Sequence, residues 1–425
     1  MNARVAAAAV LALIPGVAGA QNLAQRVASA PDGRVQFNYP ARDGTCGDGR
    51  SYMRLNWGTN SNEFYGNMNS ANMPDCVKGP ARVVLELAAR TVIRINTFVG
   101  PVEKPEGVTD LGAVSAKEAS DYLLGLAAKA EGSVSGNAIM PAMIAEGVDV
   151  QPALLTIARD QSRARETRRS AISYLTRDGR TPNNLAQPLL GIVNDESDNQ
   201  SVRQQALRTL SRLDGGAGIP EVIRLANDRQ GGWVAREALS ALAQSGDPRS
   251  REYLRGVVRK GELPDEAMAT AVRSLGQQYA TGTDIALIRD SWPKISGQRA
   301  QDAAINAITE FGGAENAKWL LNLAKDPGIS ANNQRRALQS AVKAGAKVSE
   351  IVTMYNGTID YQMKEAIISA LANNDDRESQ DKLLLIAKAD DSITARRRAI
   401  SALGRSSDPR IRKELEALVI ATGKN

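Results

Sequence analysis

From Ser115 to the end, the chain alternates apolar stripes at helical spacing with short polar loops. PALLTIARD (152–160), PEVIRLAND (220–228), AKWLLNLAKD (317–326) and DKLLLIAKAD (381–390) each place apolar residues on one helix face. A second helix follows each one after a loop rich in Asp, Gly or Pro. The stretch REALSALAQSGDPR (236–249) returns far downstream as RRAISALGRSSDPR (397–410), with nine of fourteen positions identical and no gap. Taking Leu242 and Leu403 as anchors, equivalent positions are Leu175, Leu210, Leu275, Ile308, Val342 and Leu371. The steps along this series are 35, 32, 33, 33, 34, 29 and 32. A period near 33 built from two helices predicts a solenoid.

Within each unit the second helix has a fixed grammar. Four residues before the anchor stand Ala171, Ala206, Ala238, Ala271, Ala304, Leu338, Ile367 and Ala399. Spacing of four puts them on the anchor's face, where a small residue lets helices approach. Asp247-Pro248 and Asp408-Pro409 suit a cap followed by Pro in the first turn of the next helix. The helix near Arg410 to Ile420 closes the array as a cap. Ahead of the regular units, SDYLLGLAAKAEG and NAIMPAMIAEGVD make a degenerate N-terminal pair, marked by Pro141.

Residues 21–105 follow a different pattern. ARVVLELAARTVIRINTFVG alternates Val83, Leu85 and Leu87, then Ile93, Ile95 and Val99, which predicts a hairpin turning near Ala89-Arg90 without the usual Asn-Gly or Asp-Gly. The preceding Gly- and Asn-rich stretch holds the two cysteines, Cys46 and Cys76. A disulfide between them is the simplest reading. Free thiols or half of a metal site fit poorly in a chain with no His. Such a bridge is worth roughly 3 kcal/mol in the chain-entropy model. GPVEKPEGVTDLG reads as a linker by its Pro and Gly. Ser115, three residues before Glu118, predicts a capping box at the first helix.

The N-terminus, MNARVAAAAVLALIPGVAGAQN, has Arg4, an apolar core over 5–17 and Ala18-Gly19-Ala20. It reads as a secretory signal peptide over residues 1–20. The apolar run is shorter than the roughly 20 residues a membrane span needs, so an exported protein, periplasmic or extracellular, is expected. The expected layout is a signal peptide (1–20), a small antiparallel β domain stapled by Cys46–Cys76 (21–105), a linker with N-terminal capping helices (106–150), and repeats with a C-terminal cap (151–425). The fold class is mainly α, a right-handed α-solenoid of helix pairs.

SVRQQALRTLSRLDG, WVAREALSALAQSGDPR and ITARRRAISALGRSSDPR resemble HEAT-like repeats of the short type first associated with phycobilisome lyases, over about residues 115–420. The whole layout resembles exported bacterial HEAT-repeat proteins. The resemblance implies adaptor or scaffold modules, with a few members attaching bilins.

Net charge is +6, so placement of charge matters more than its sum. Seven residues before each anchor come Arg168, Arg203, Ala235, Met268, Gln301, Arg335, Lys364 and Arg396. This row lies near the core stripe, and its expected role is bridging repeats through loop carbonyls or Asp198 and Asp391. Positions two and six before the anchor lie on the far side, the concave face in HEAT-like solenoids. They give a strip of Arg169, Arg208, Arg236, Arg273, Arg336 and Arg397, with Asp302 and Glu365 in the other two repeats. A solvated charged face is one reading; a groove for an acidic protein or a polyanionic envelope component is the other.

Without His, a Ser-His-Asp triad, a Cys-His dyad and His-ligated zinc are excluded. No phosphate-binding Gly-rich loop is present. The acidic loops NNDDRES and ADDS fit helix caps better than calcium ligands. Tyr52, Trp57, Phe64 and Tyr65 fit either a small-domain core or a glycan or peptide site. The leading expectation is a non-catalytic protein-binding scaffold or adaptor of the cell envelope. It would have no cofactor, no metal, no nucleic-acid partner and no membrane span. The alternative is an enzyme or enzyme subunit of lyase type.

Overall fold

The computed structural model describes residues 22–56, 62–66, 76–102, 106–177, 184–227, 232–277, 279–373 and 376–422, with backbone alone at 62–66 and 419–422. The expected signal peptide, Trp57 and the side chains of Phe64 and Tyr65 lie outside these residues. The chain divides into two compact units, Met1–Thr209 and Leu210–Asn425.

The first unit opens with α1 (Leu23–Ser29) and seven strands: β1 (Gly33–Tyr39), β2 (Thr45–Gly47), β3 (Tyr52–Asn56), β4 (Asn62–Gly66), β5 (Ala81–Ala88), β6 (Thr91–Val99) and β7 (Val108–Ala113). One sheet has the order β6-β5-β1-β7 and the other β2-β3-β4. Alternation in β1 and β5 buries Val35, Phe37, Tyr39, Val83, Leu85 and Leu87. The expected hairpin forms with Ala89 (φ 50°) and Arg90 (φ 60°) at its turn. Both residues sit in left-handed backbone, which Gly or Asn normally supplies. The carboxylate of Asp32 holds the turn, accepting from the N–H groups of Ala89 and Arg90 at 2.9 Å each.

Two expectations change here. Ile93 faces solvent, because the β5–β6 register shifts between Glu86 and Leu87 and leaves Ile93 as the extra residue of a bulge. The segment read as a linker carries β7, an edge strand parallel to β1, so the sheet is not wholly antiparallel. Its Asp110 and Gly112 (φ 75°) mimic loop composition, while Arg26 of α1 donates to the Leu111 carbonyl and ties it in.

Cys46 and Cys76 form a disulfide with Cα atoms 5.2 Å apart. Beside it Gly47 and Val77 exchange backbone hydrogen bonds of 3.1 and 3.0 Å. A Cβ at Gly47 would lie 2.5 Å from the carbonyl oxygens of both Tyr52 and Val99, so only Gly fits this crossing. Tyr52 is buried, which makes it a core residue.

Then come α2 (Ala116–Lys129), α3 (Ser133–Asn137) and α4 (Ile139–Met143), the last two short and broken around Pro141. Ser115 caps α2 by accepting from the Glu118 N–H at 3.2 Å, but Glu118 does not reach back. Its carboxylate instead accepts from the Leu23 N–H at 2.6 Å, so docking of α1 replaces half of the capping box.

Eight helix pairs follow. They are α5 (Gln151–Arg159) with α6 (Arg165–Tyr174), α7 (Ala186–Asn194) with α8 (Gln200–Leu210), α9 (Ile219–Ala226) with α10 (Trp233–Gln244), α11 (Pro248–Lys260) with α12 (Asp265–Gly276), α13 (Gly282–Ser291) with α14 (Gln298–Phe311), α15 (Ala314–Ala324) with α16 (Ala331–Lys343), α17 (Val348–Gly357) with α18 (Tyr361–Ala372), and α19 (Arg377–Ala389) with α20 (Ile393–Leu403). The single α21 (Pro409–Thr422) ends the array. In the second unit, α10, α12, α14, α16, α18 and α20 pack each on the next. The recurrent alanines are buried at this seam. Asp247, Asp376 and Ser392 cap α11, α19 and α20, as the loop composition predicts.

One anchor shifts. Val342 is half-exposed, whereas Ala341 and, four residues earlier, Ala337 are fully buried. The true anchor is Ala341. The odd steps of 34 and 29 become 33 and 30, and the Leu338 exception in the alanine row disappears. The apolar run at 337–342 offers several frames, and only packing selects one.

Candidate binding interface

The second helix of each pair sorts its polar residues by direction. Seven residues before the anchor, the side chain turns back to the preceding loop. Arg168 donates from Nε to the Ala158 carbonyl at 2.8 Å, and Arg203 to the Val193 carbonyl at 2.9 Å. Gln301, Gln334 and Arg396 do the same to Ile295, Asp326 and Asp390 at 2.9, 2.7 and 2.6 Å. Gln334 joins this row only in the corrected frame. Arg168 also forms a two-pronged pair with Asp198 at 2.6 and 2.5 Å, with both side chains 3% exposed. Such a buried pair specifies geometry more than it adds stability. Arg168 with Asp198 performs the bridging between repeats expected of this row, whereas the carbonyl bonds tie the two helices of one pair together. Asp391 is exposed, and its neighbour Asp390 takes the part.

The opposite face holds the predicted strip, and its six arginines are not equivalent. In the first unit Arg169 is exposed, in a groove of about 350 Å³ lined also by Glu166, Ser173, Tyr174, Arg177 and Gln205. Arg208 is half-buried and engaged by neighbours. In the second unit Arg236 is likewise half-buried and engaged. Arg273 is exposed, bonding within its helix to Thr270 at 3.2 Å. Arg336 pairs with Asp302 at 2.9 Å and Asn306 at 3.3 Å. Its place in the strip is corrected: with Ala341 as anchor, Arg335 holds that position and donates to Gln362 at 2.8 Å. Arg336 stands five residues before the anchor, in the column where Arg398 meets Glu365 at 3.6 Å. The two carboxylates of the strip, Asp302 and Glu365, therefore each face an arginine one repeat later. Arg397 is exposed in a groove of about 450 Å³ between α18 and α20.

Sequence reading missed residues two after the anchor and five before it. Arg405 and Arg398 line the α20 groove with Arg397, and Arg177 lines the α6 groove with Arg169. The signal was present as Arg-x3-Ser-x3-Arg, in Arg169/Ser173/Arg177 and again in Arg397/Ser401/Arg405.

Two other clusters of charge escaped the sequence. Asp284, with no exposed surface, accepts from Arg251 at 2.5 Å, Arg255 at 2.8 Å and the Thr281 hydroxyl at 2.5 Å. Burial alone would push its carboxyl up; the bonds from Arg251, Thr281 and Arg255 outweigh it and hold the group well below the carboxylate range. Arg251 and Asp284 stand one repeat apart, which is the trace they leave in the sequence. Tyr355 donates to Asp390 at 2.7 Å, and Lys364 and Lys382 lie 5.2 and 5.0 Å from its ring centre. Burial pushes the Tyr355 hydroxyl up and the Lys382 ammonium down. Tyr355 is buried, so this cluster ties repeats together.

Among the described residues no group of three or more His, Cys, Asp or Glu is placed to hold a metal ion. No helix among them is long and apolar enough to cross a membrane.

Helix pairs recurring at this period define an α-helical repeat protein. A family model described as HEAT repeats matches residues 186–276, and the chain is a HEAT-like repeat protein with a small N-terminal sheet domain. No curated protein matches it in sequence. The solved structure of human deoxyhypusine hydroxylase in complex with glycerol is 15% identical, covers 68% of this chain and 96% of its own, and has a TM-score of 0.25. A likeness that distant carries no functional argument.

Proposed function

We propose that this protein is a non-catalytic, protein-binding scaffold or adaptor of the cell envelope, and that it engages an acidic partner through the exposed face of its second helices. One observation carries the reading. Arginines on the packed side of these helices are consumed by loop carbonyls and carboxylates, whereas Arg169, Arg273 and Arg397 keep their guanidinium groups at the surface. A cation tied into no repeat-bridging bond is available for a charge-assisted bond to a partner's carboxylate. Envelope placement rests on the N-terminal signal pattern.

The test is affinity capture from cell-envelope extract at low and high salt. A protein released by salt is the expected result. A co-purifying pigment or small molecule would overturn the scaffold reading in favour of a lyase-type activity.

A further inference from the structure

We propose that the groove between α18 and α20 is the docking site for an acidic, partly apolar peptide segment of that partner. This rests on the scaffold reading and narrows it to one place and one ligand chemistry. Three guanidinium groups, Arg397, Arg398 and Arg405, line the groove, and among the described residues no carboxylate does. Arg397 and Arg405 are exposed, and among the described residues no acceptor meets either. Among the described residues Arg398 is held by a 3.6 Å approach to Glu365 alone, with half its surface open. Ser369, Thr394 and Ser401 share the lining, and the half-buried Ala372 and Ala402 supply its apolar wall.

The spacing sets the ligand. Arg397, Ser401 and Arg405 lie four residues apart, and Gly404 continues the right-handed turn. Eight residues at 1.5 Å each separate the outer pair by roughly 12 Å. An extended peptide advances about 3.3 Å per residue, so two carboxylates about four residues apart meet both guanidinium groups. Residues between them lie over the apolar wall. A polyphosphate would satisfy the cations but leave that wall uncovered, so the peptide is the better fit.

The related groove in the first unit sharpens the assignment. It repeats the Arg-Ser-Arg spacing, yet Glu166 lines it and Arg177 lies 5.1 Å from the Tyr174 ring centre. That site carries its own anion and its own ring for a cation, so it should bind an acidic peptide more weakly.

The experiment titrates the full exported chain with a labelled synthetic peptide whose two Glu flank three apolar residues. A Gln-for-Glu peptide and inorganic polyphosphate serve as comparisons. Wild-type protein should bind the Glu peptide in a salt-sensitive manner and the Gln peptide about tenfold more weakly or worse. The double variant R397Q/R405Q should lose about tenfold in affinity with an unchanged melting temperature, and R169Q/R177Q less than about twofold. No peptide binding by wild type, equal loss in both double variants, or tighter binding of polyphosphate would overturn the proposal. If binding survives R397Q/R405Q but is lost in R236Q/R273Q, this groove is wrong while the scaffold reading stands. If wild type also captures no salt-released protein from envelope extract, both are wrong.

Discussion

Asp284 shows how much a single residue carries in a repeat protein. It has no exposed surface and three hydrogen-bonding partners, two of them Arg251 and Arg255 on the neighbouring first helix, α11. Replacing it with Asn leaves two guanidinium groups facing a neutral amide, which should cost roughly 3 kcal/mol. The pH dependence has a definite sign. Because the folded carboxyl is held low, its stabilisation is complete above the unfolded value near 4 and fades as pH falls through and below it. Wild-type melting temperature should therefore hold steady from neutral pH to about 5 and drop below about 4. Asp284→Asn should melt lower at neutral pH and show a shallower acid limb; an unchanged acid limb would remove Asp284 from this role. At the β5–β6 turn, Arg90 sits in left-handed backbone, which costs an L-residue roughly 1 kcal/mol. Arg90→Gly should raise stability by up to about 1 kcal/mol in urea titration, and Asp32→Ala should lower it. Neither Asp284 nor Asp32 was legible in the sequence, because the groups each one fastens lie on other elements, far away along the chain.

The helix pairs were legible because the same physical demand recurs in every repeat. A helix buried on one face needs an apolar stripe and a small residue at the seam, and all but the unit holding Ile367 place Ala there. Side-chain caps mark only some helices, α11, α19 and α20 among them. Reading failed where the stripe is redundant. At ALQSAVKAG the frame set on Val342 places Arg336 on the open face, but burial of Ala337 and Ala341 moves it one position round the helix, into an ion pair with Asp302. A direct check follows. Ala337→Leu forces extra methylenes into a closed seam and should cost about 1–3 kcal/mol, whereas Val342→Leu should change stability by less than about 0.5 kcal/mol. Equal costs would restore the original frame. In the sheet domain, alternation located β5 and β6, but the bulge that turns Ile93 outward depends on pairing between strands. The edge strand β7 was hidden by its Asp and Gly.

For the whole molecule, the repeats divide their cations into two populations. Those seven before the anchor, and those opposite Asp302 and Glu365, fasten helices and loops together. Those of the Arg-Ser-Arg spacing, and Arg273, face outward. The first population was largely anticipated, since geometry alone sends a side chain near the core stripe to the nearest carbonyl. The second was only partly seen, because the row was read at two positions per helix and Arg177 and Arg405 fall at a third, two residues after the anchor. If the outward cations serve an acidic partner, reversing their charge should remove that partner and leave the fold intact. The most direct measurement is salt-dependent capture from envelope extract by wild type and by the triple variant R169E/R273E/R397E, with matched circular dichroism and melting temperature. The expected result is a variant that folds like wild type and loses the salt-released partner. Capture of the same partner in the same amount would contradict the scaffold reading.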